Sequence, residues 1–243
     1  PDLIWKCENK TAKISINNEG DNLNNYTDEN EAPFLSLKKL LKKCEIKKDE
    51  SLPPMSAGLY GYMGYDMVKI MEDIPDANPA NINMPDSIFF RPQILLIFDN
   101  IFDKLFLISP VYFSENISSV EAFTKAENNL SEIENAIKDN SNSNEVSAEE
   151  LENFAINFTS NIDQNKYSEI VEKAKDYIKA GDIFQIVPSR RFESNFSLPP
   201  ISFYRSLRSL NPSPYLFYVH LKDFVIAGSS PEILVKSVDR KVT

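Results

Sequence analysis

Two polar residues sit inside apolar runs, where their chemistry has consequences. Gln185 is flanked by Ile183, Phe184, Ile186 and Val187, and Glu232 is followed by Ile233, Leu234 and Val235. A polar group set in strand-like apolar sequence costs stability unless it is paired. A carboxylic acid beside apolar residues has a raised pKa and holds its proton near neutral pH, so Glu232 is suited to protonating a poor leaving group. A neutral glutamine cannot act as a general base at ordinary pH. Each residue also has a plain structural reading: a strand-edge glutamate in solvent or a salt bridge, and a buried amide paired with backbone. Arg190 and Arg191 close the block that holds Gln185 and suit a substrate carboxylate, with a structural ion pair expected for at least one of them. The single histidine, His220, lies in YVHLKD just before a turn and reads as a strand-end surface residue rather than a catalyst.

These residues need elements to position them. Tyr167, Ile170, Val171, Ala174, Tyr177 and Ile178 recur at helical spacing, and Gly181 is placed to cap that helix. IFQIV (183–187) reads as a strand that begins at once, and Pro188, which cannot donate to a ladder, ends or bulges it. PPISFYRSLRSL reads as a helix opened by prolines. YLFYVHL and FVIAGS flank Lys222–Asp223 and read as a β-hairpin.

Upstream, residues 1–16 suggest a hairpin around Glu8–Lys10 and residues 17–33 a polar loop. SLKKLLKKCEI places Leu37, Leu40, Leu41 and Cys44 on one helical face with lysines opposite, which reads as a core-packed helix with a solvated basic side. Gly58, Gly61 and Gly64 in AGLYGYMGYD mark a strand in close backbone packing rather than a dinucleotide loop, because SLPPMS before them is a poor strand. A helix is expected over roughly 66–71, and a hairpin joins FFRPQILLIFDN to KLFLISPVYF near Asp99–Asp103. A further helix spans 118–138, followed by a polar linker over 139–150. Helices mix with largely antiparallel strands without regular βαβ alternation, so the expected class is α+β.

In order along the chain, AGLYGYMGYDMVKIMEDIP (57–75), GDIFQIVPSRRF (181–192), NPSPYLF (211–217) and GSSPEILVK (228–236), together with the opening PDLIWKC, resemble the chorismate-utilising enzymes. The likeness is greatest to the component I (large-subunit) type of anthranilate synthase. It covers most of the chain, with a variable stretch in the middle. It implies an N-terminal region at 1–113, a helix and variable linker at 114–160, and the beginning of a chorismate-binding catalytic region at 161–243. It also implies conversion of chorismate and ammonia, drawn from a glutamine amidotransferase subunit, to anthranilate and pyruvate in tryptophan biosynthesis. That activity would be cytoplasmic and would require Mg²⁺.

By the same resemblance, Glu232 matches the glutamate that protonates the departing C4 hydroxyl. Gln185 matches the position where water-adding relatives carry a lysine base, which fits ammonia as nucleophile. Pro214, Tyr215 and Leu216 match the stretch that contributes to a feedback site for tryptophan, with Leu216 where the family has methionine. The metal ligands and a catalytic histidine are expected beyond Thr243. Both ends therefore look cut, and the fragment alone is expected to be inactive. FQIVP is closer to anthranilate synthase than to aminodeoxychorismate synthase, which stays as the alternative. A non-catalytic tryptophan-binding module is a third reading.

Composition agrees with this assignment and narrows it little further. At 243 residues with 42% hydrophobic content, the chain can bury a substantial core. A formal charge of -10 argues against a nucleic-acid partner, which needs a basic surface. Cys7 and Cys44 are too few and too scattered for a disulfide framework or metal site and read as ordinary cytosolic thiols. No apolar run approaches the roughly 18 residues of a membrane helix, so no membrane association is expected.

Overall fold

The computed structural model describes residues 1–17, 23, 25–47, 49–75, 82–112, 117–139 and 157–243. The chain divides into two compact units, Pro1–Asn142 and Ser143–Thr243.

The first unit is built on a five-stranded antiparallel sheet in the order β3-β2-β1-β5-β4. Its strands are β1 (Leu3–Glu8), β2 (Thr11–Ile16), β3 (Thr27–Asp28), β4 (Tyr60–Met63) and β5 (Ser87–Arg91). β1 and β2 form the expected hairpin, with Asn9 and Lys10 at φ 50° and 62° in the turn. β3 lies in the stretch expected to be loop; only two residues long, it carries no periodic signal. Along β1, Leu3, Trp5 and Cys7 alternate inward and are buried. Helix α1 (Pro33–Lys43) covers them with Leu37 and Leu40, and Cys44 follows at its C-terminal end.

One polar relay crosses this core: the Trp5 indole Nε1 donates to Ser36 Oγ at 2.9 Å, and Ser36 Oγ donates to Glu29 Oε2 at 3.1 Å. Arg91, at the end of β5, donates through Nε and Nη2 to the two carboxylate oxygens of Asp2, at 2.9 and 2.7 Å, and stacks 4.3 Å over the Tyr112 ring. Burial pushes the Cys7 thiol up to about 11, with the Asp86 carboxylate adding to it. Burial likewise pushes the Tyr62 hydroxyl up to about 12, helped by Asp86 and Glu8.

The glycine-rich segment is a strand in close packing, as its spacing predicts. A Cβ on Gly61 would stand 1.9 Å from the Ile88 carbonyl oxygen of the neighbouring strand. β4 leads into a 3₁₀ turn (Tyr65–Met67) and the single-turn helix α2 (Val68–Met71). β6 (Leu95–Asp99) and β7 (Lys104–Ile108) form a separate hairpin. Helix α3 (Ser119–Lys138) opens on a capping box, Ser118 and Glu121 each accepting from the other's backbone. Of the linker expected at 139–150, only Asp139, the C-cap of α3, lies within the described residues.

In the second unit, β8 (Thr159–Ser160) pairs with β9 (Phe192–Glu193). Helix α4 (Gln164–Ala180) and helix α5 (Pro200–Leu210) form as their periodicity predicts. β10 (Tyr215–His220) and β11 (Val225–Ser230) make the expected hairpin, and β12 (Ser237–Val238) pairs with β13 (Lys241–Val242). Among the unit's described residues, only Ala174 and Leu221 are buried apolar side chains.

One expectation is overturned. Residues 183–187 are not a strand. A strand exists only through a ladder, and no described residue pairs with this run; Pro188 removes a further donor. Phe184 is fully exposed, so the apolar composition encodes a need for burial without supplying the partner.

Candidate active site

The segment that carries Gln185 hangs from helix α4. Gly181 adopts the left-handed conformation at φ 82° and ends the helix, its N–H donating to Ile178 O while Asp182 N donates to Tyr177 O at 3.1 Å. This is the two-bond helix stop that a glycine makes inexpensive. Beyond it, Gln185 is exposed on the irregular run to Pro188.

The two arginines that follow have separate attachments. Arg191 makes the expected ion pair, Nε to Glu193 Oε1 at 2.6 Å, and its backbone N–H donates to Asn161 Oδ1 at 2.9 Å. Arg190 donates from Nε to Ser160 Oγ at 2.7 Å, and its guanidinium lies 4.6 Å from the centre of the Phe192 ring.

Glu232 follows β11 in a turn that is stitched to the NPSPYLF block. Ser230 Oγ donates to the Glu232 carbonyl at 2.8 Å. Ser229 Oγ donates to Asn211 O at 2.6 Å, and Ser213 Oγ donates to Ser230 O. With the β10–β11 ladder, these bonds join two motifs that the sequence shows only as neighbours in order. The three serines were not singled out from sequence. The available signal was a serine next to proline at a strand end, where its hydroxyl can satisfy backbone that proline leaves unpaired.

Glu232 is exposed, and Leu234 two residues on is fully so. No hydrogen bond or ion pair joins Gln185 to Glu232 among the described residues. The structure thus unites NPSPYLF with GSSPEILVK and holds GDIFQIVPSRRF separately.

The Pro214–Leu216 stretch enters β10. Pro214 and Tyr215 are exposed; Tyr215 opens the strand opposite Ser230, and Leu216 pairs with Ser229. Strand alternation puts Tyr215 with Phe217 on one face and Leu216 with Tyr218 on the other. Helix α5 takes the second face, the Tyr204 ring lying 5.4 Å from that of Tyr218. Tyr215 therefore offers its ring on the face away from α5. Phe217 lies across Gly228, where a Cβ would stand 2.2 Å from the ring. His220 is exposed at the end of β10.

Among the described residues, no group of three or more His, Cys, Asp or Glu side chains stands close enough to hold a metal ion. No described helix is long and apolar enough to cross a membrane.

The sequence profile described as "chorismate binding enzyme" matches residues 1–243. Anthranilate synthase component 1 of Cereibacter sphaeroides is 36% identical over 244 residues, covering 100% of this chain and 48% of its own length. The component 1 of Acinetobacter calcoaceticus is 40% identical over 198 residues, covering 77% of this chain and 38% of its own. The crystal structure of anthranilate synthase component I from Streptococcus pneumoniae TIGR4 superposes with a TM-score of 0.75 at 28% identity, covering 98% of this chain and 50% of that one. The chain spans about half the length of the curated relatives it matches. The helices and antiparallel sheets of this chain make the fold α+β, as expected, and 98% of the chain superposes on that neighbour. With the profile matched from first residue to last, this chain belongs to the chorismate binding enzyme family.

Proposed function

We propose that the protein carrying this chain is component I of anthranilate synthase, which turns chorismate and ammonia into anthranilate, pyruvate and water. The observation that carries this reading is the alignment of the whole chain, at 36% identity, with a relative of that name. In the reaction, the nitrogen lone pair forms a bond at C2 of the ring while the C4–O bond breaks. Hydroxide leaves poorly, so the oxygen departs as water after taking a proton. Loss of the enolpyruvyl side chain as pyruvate then leaves the aromatic ring.

Glu232 is the proton donor in this scheme. The match of the GSSPEILVK block supports this role. Ser230 Oγ holds the backbone of the turn through the Glu232 carbonyl at 2.8 Å, while the side chain is exposed rather than set in the apolar surroundings its sequence context suggests. Gln185 faces the incoming ammonia, and its inability to take a proton disfavours water as nucleophile. The ammonia would come from a glutamine amidotransferase subunit, in the cytoplasm. Among the described residues no three His, Cys, Asp or Glu side chains gather to hold Mg²⁺, and the Mg²⁺ requirement is proposed for the whole protein. Pro214, Tyr215 and Leu216 are proposed to contribute to a tryptophan feedback site. The exposed ring of Tyr215 supports that role better than Leu216 on the opposite face. In this reading residues 1–113 form the N-terminal region, 114–160 a helix and variable linker, and 161–243 the beginning of the chorismate-binding region.

The test is expression of the complete reading frame and a fluorescence assay for anthranilate with ammonium as nitrogen source. Folded, magnesium-loaded protein that yields no anthranilate would sink the reading, and 4-amino-4-deoxychorismate as product would replace it with the aminodeoxychorismate synthase alternative. Glu232→Gln should lower turnover by about a hundredfold or more, with a much smaller change in the KM for chorismate.

A further inference from the structure

Helix α4 and the segment behind it form a closed circuit. The chain leaves the C-terminal end of the helix at Gly181 and, by Arg190 and Arg191, is fastened at residues that precede its N-terminal end. There Arg191 N donates to Asn161 Oδ1 at 2.9 Å, Asn161 N donates back to Arg191 O at 3.1 Å, and Arg190 Nε donates to Ser160 Oγ at 2.7 Å. Tyr167, in the first turn of the helix, donates its hydroxyl to Pro188 O at 3.5 Å.

The return path is long enough to span the helix. The helix has 17 residues, which measure about 25 Å at about 1.5 Å per residue. The eight residue steps from Asp182 to Arg190 reach about 26–29 Å when fully extended. The return path bends at Phe184 and, among the described residues, has no strand partner. It is held by the Tyr167–Pro188 bond and by the fastenings at Arg190 and Arg191, so the course of residues 183–189 depends on those few attachments. Gln185 lies inside that stretch.

We infer that Asn161 is a positioning residue for Gln185, acting as the far anchor of this line; its consequence for catalysis rests on the anthranilate synthase reading. Asn161 meets Arg191 with one backbone and one side-chain group, reproducing a ladder step where β8 has already ended. Its side chain is the part that substitution can remove. Asn161→Ala deletes the acceptor for Arg191 N–H, whereas Asn161→Asp keeps an acceptor oxygen at the same reach. With the anchor loosened, residues 183–189 gain conformers in which the Gln185 amide no longer meets the nitrogen nucleophile.

The complete protein, assayed with ammonium so that no amidotransferase is needed, separates this role from general stability. Asn161→Ala should lower kcat about tenfold and raise the KM for ammonium several-fold. The KM for chorismate should stay within about twofold of the parent value, and the thermal midpoint should move by only a few degrees. Asn161→Asp should recover at least half of the lost turnover. Trypsin should nick the Arg190–Arg191 bond about tenfold faster in Asn161→Ala than in the parent or in Asn161→Asp. The inference is overturned if Asn161→Ala keeps near-parental turnover, if Asn161→Asp is as impaired as Asn161→Ala, or if lost activity only tracks lost folded protein. A folded parent enzyme that makes no anthranilate overturns the proposed function instead. The anchor is then judged by the trypsin readout, and unchanged nicking overturns it.

Discussion

Ser36 shows how much a single hydroxyl can carry. It accepts from a fully buried indole and passes a hydrogen bond on to Glu29. Ser36→Ala would strand the Trp5 N–H with no acceptor, at a cost of about 1–3 kcal/mol, because a buried unpaired donor loses its water without replacement. Urea denaturation should show that loss. The double variant with Trp5→Phe should lose less than the sum of the two single changes, since the stranded donor is then absent. Cys7 makes a second residue-level prediction. Its thiol ionises near 9 when unfolded and is pushed up to about 11 by burial. The folded chain therefore holds a proton that the unfolded chain releases, so the stability Cys7 confers is intact below pH 9 and is lost as pH rises from 9 through 11. The upper bound is about 3 kcal/mol for a shift of this size. Denaturation midpoints measured between pH 8 and 11 should fall across that window, and Cys7→Ala should flatten part of the fall.

At the scale of elements, two nearby glycines separate crowding from backbone conformation. Gly61→Ala drives a Cβ into the Ile88 carbonyl and should cost about 3 kcal/mol by pushing β4 away from β5. Gly58 has open space around it but sits at φ +118°, so Gly58→Ala should cost about 1–2 kcal/mol through strain alone. Chemical denaturation of the two variants checks the ranking. The elements that were readable in sequence are those whose signal is local. The Gly181 stop, the hairpins around Asn9–Lys10 and Lys222–Asp223, and the proline-opened α5 each announce themselves within a few residues. Residues 183–187 misled because an apolar run reports burial, whereas a strand also needs a partner whose identity no local pattern contains. The site was legible to the same degree. Gln185 and Glu232 stand out by composition, but the serine stitching around Glu232 and the Asn161 anchor depend on residues far along the chain.

At the scale of the whole chain, burial among the described residues is concentrated in the first unit. Trp5, Cys7, Ala12 and Met67 there are almost completely buried, whereas Phe184 and Leu234 in the second unit are fully exposed. Hydrogen exchange of the 243-residue chain should therefore be slowest in β1, β2 and β5. Protection in the second unit should be confined to α4, α5 and the β10–β11 ladder. Equal protection at 183–187 and in β1 would contradict this distribution. The arrangement of the five-stranded sheet also has a temporal side. β1 lies at its centre, bonded to β2 on one edge and β5 on the other, yet β5 is about 80 residues further along. At a synthesis rate of about 5–20 residues per second, the ribosome needs roughly 4–16 s to deliver that second neighbour. For those seconds the nascent β1–β2 hairpin presents an open edge bearing Leu3, Trp5 and Cys7 to every other emerging chain, and cotranslational chaperones have their strongest reason to bind there.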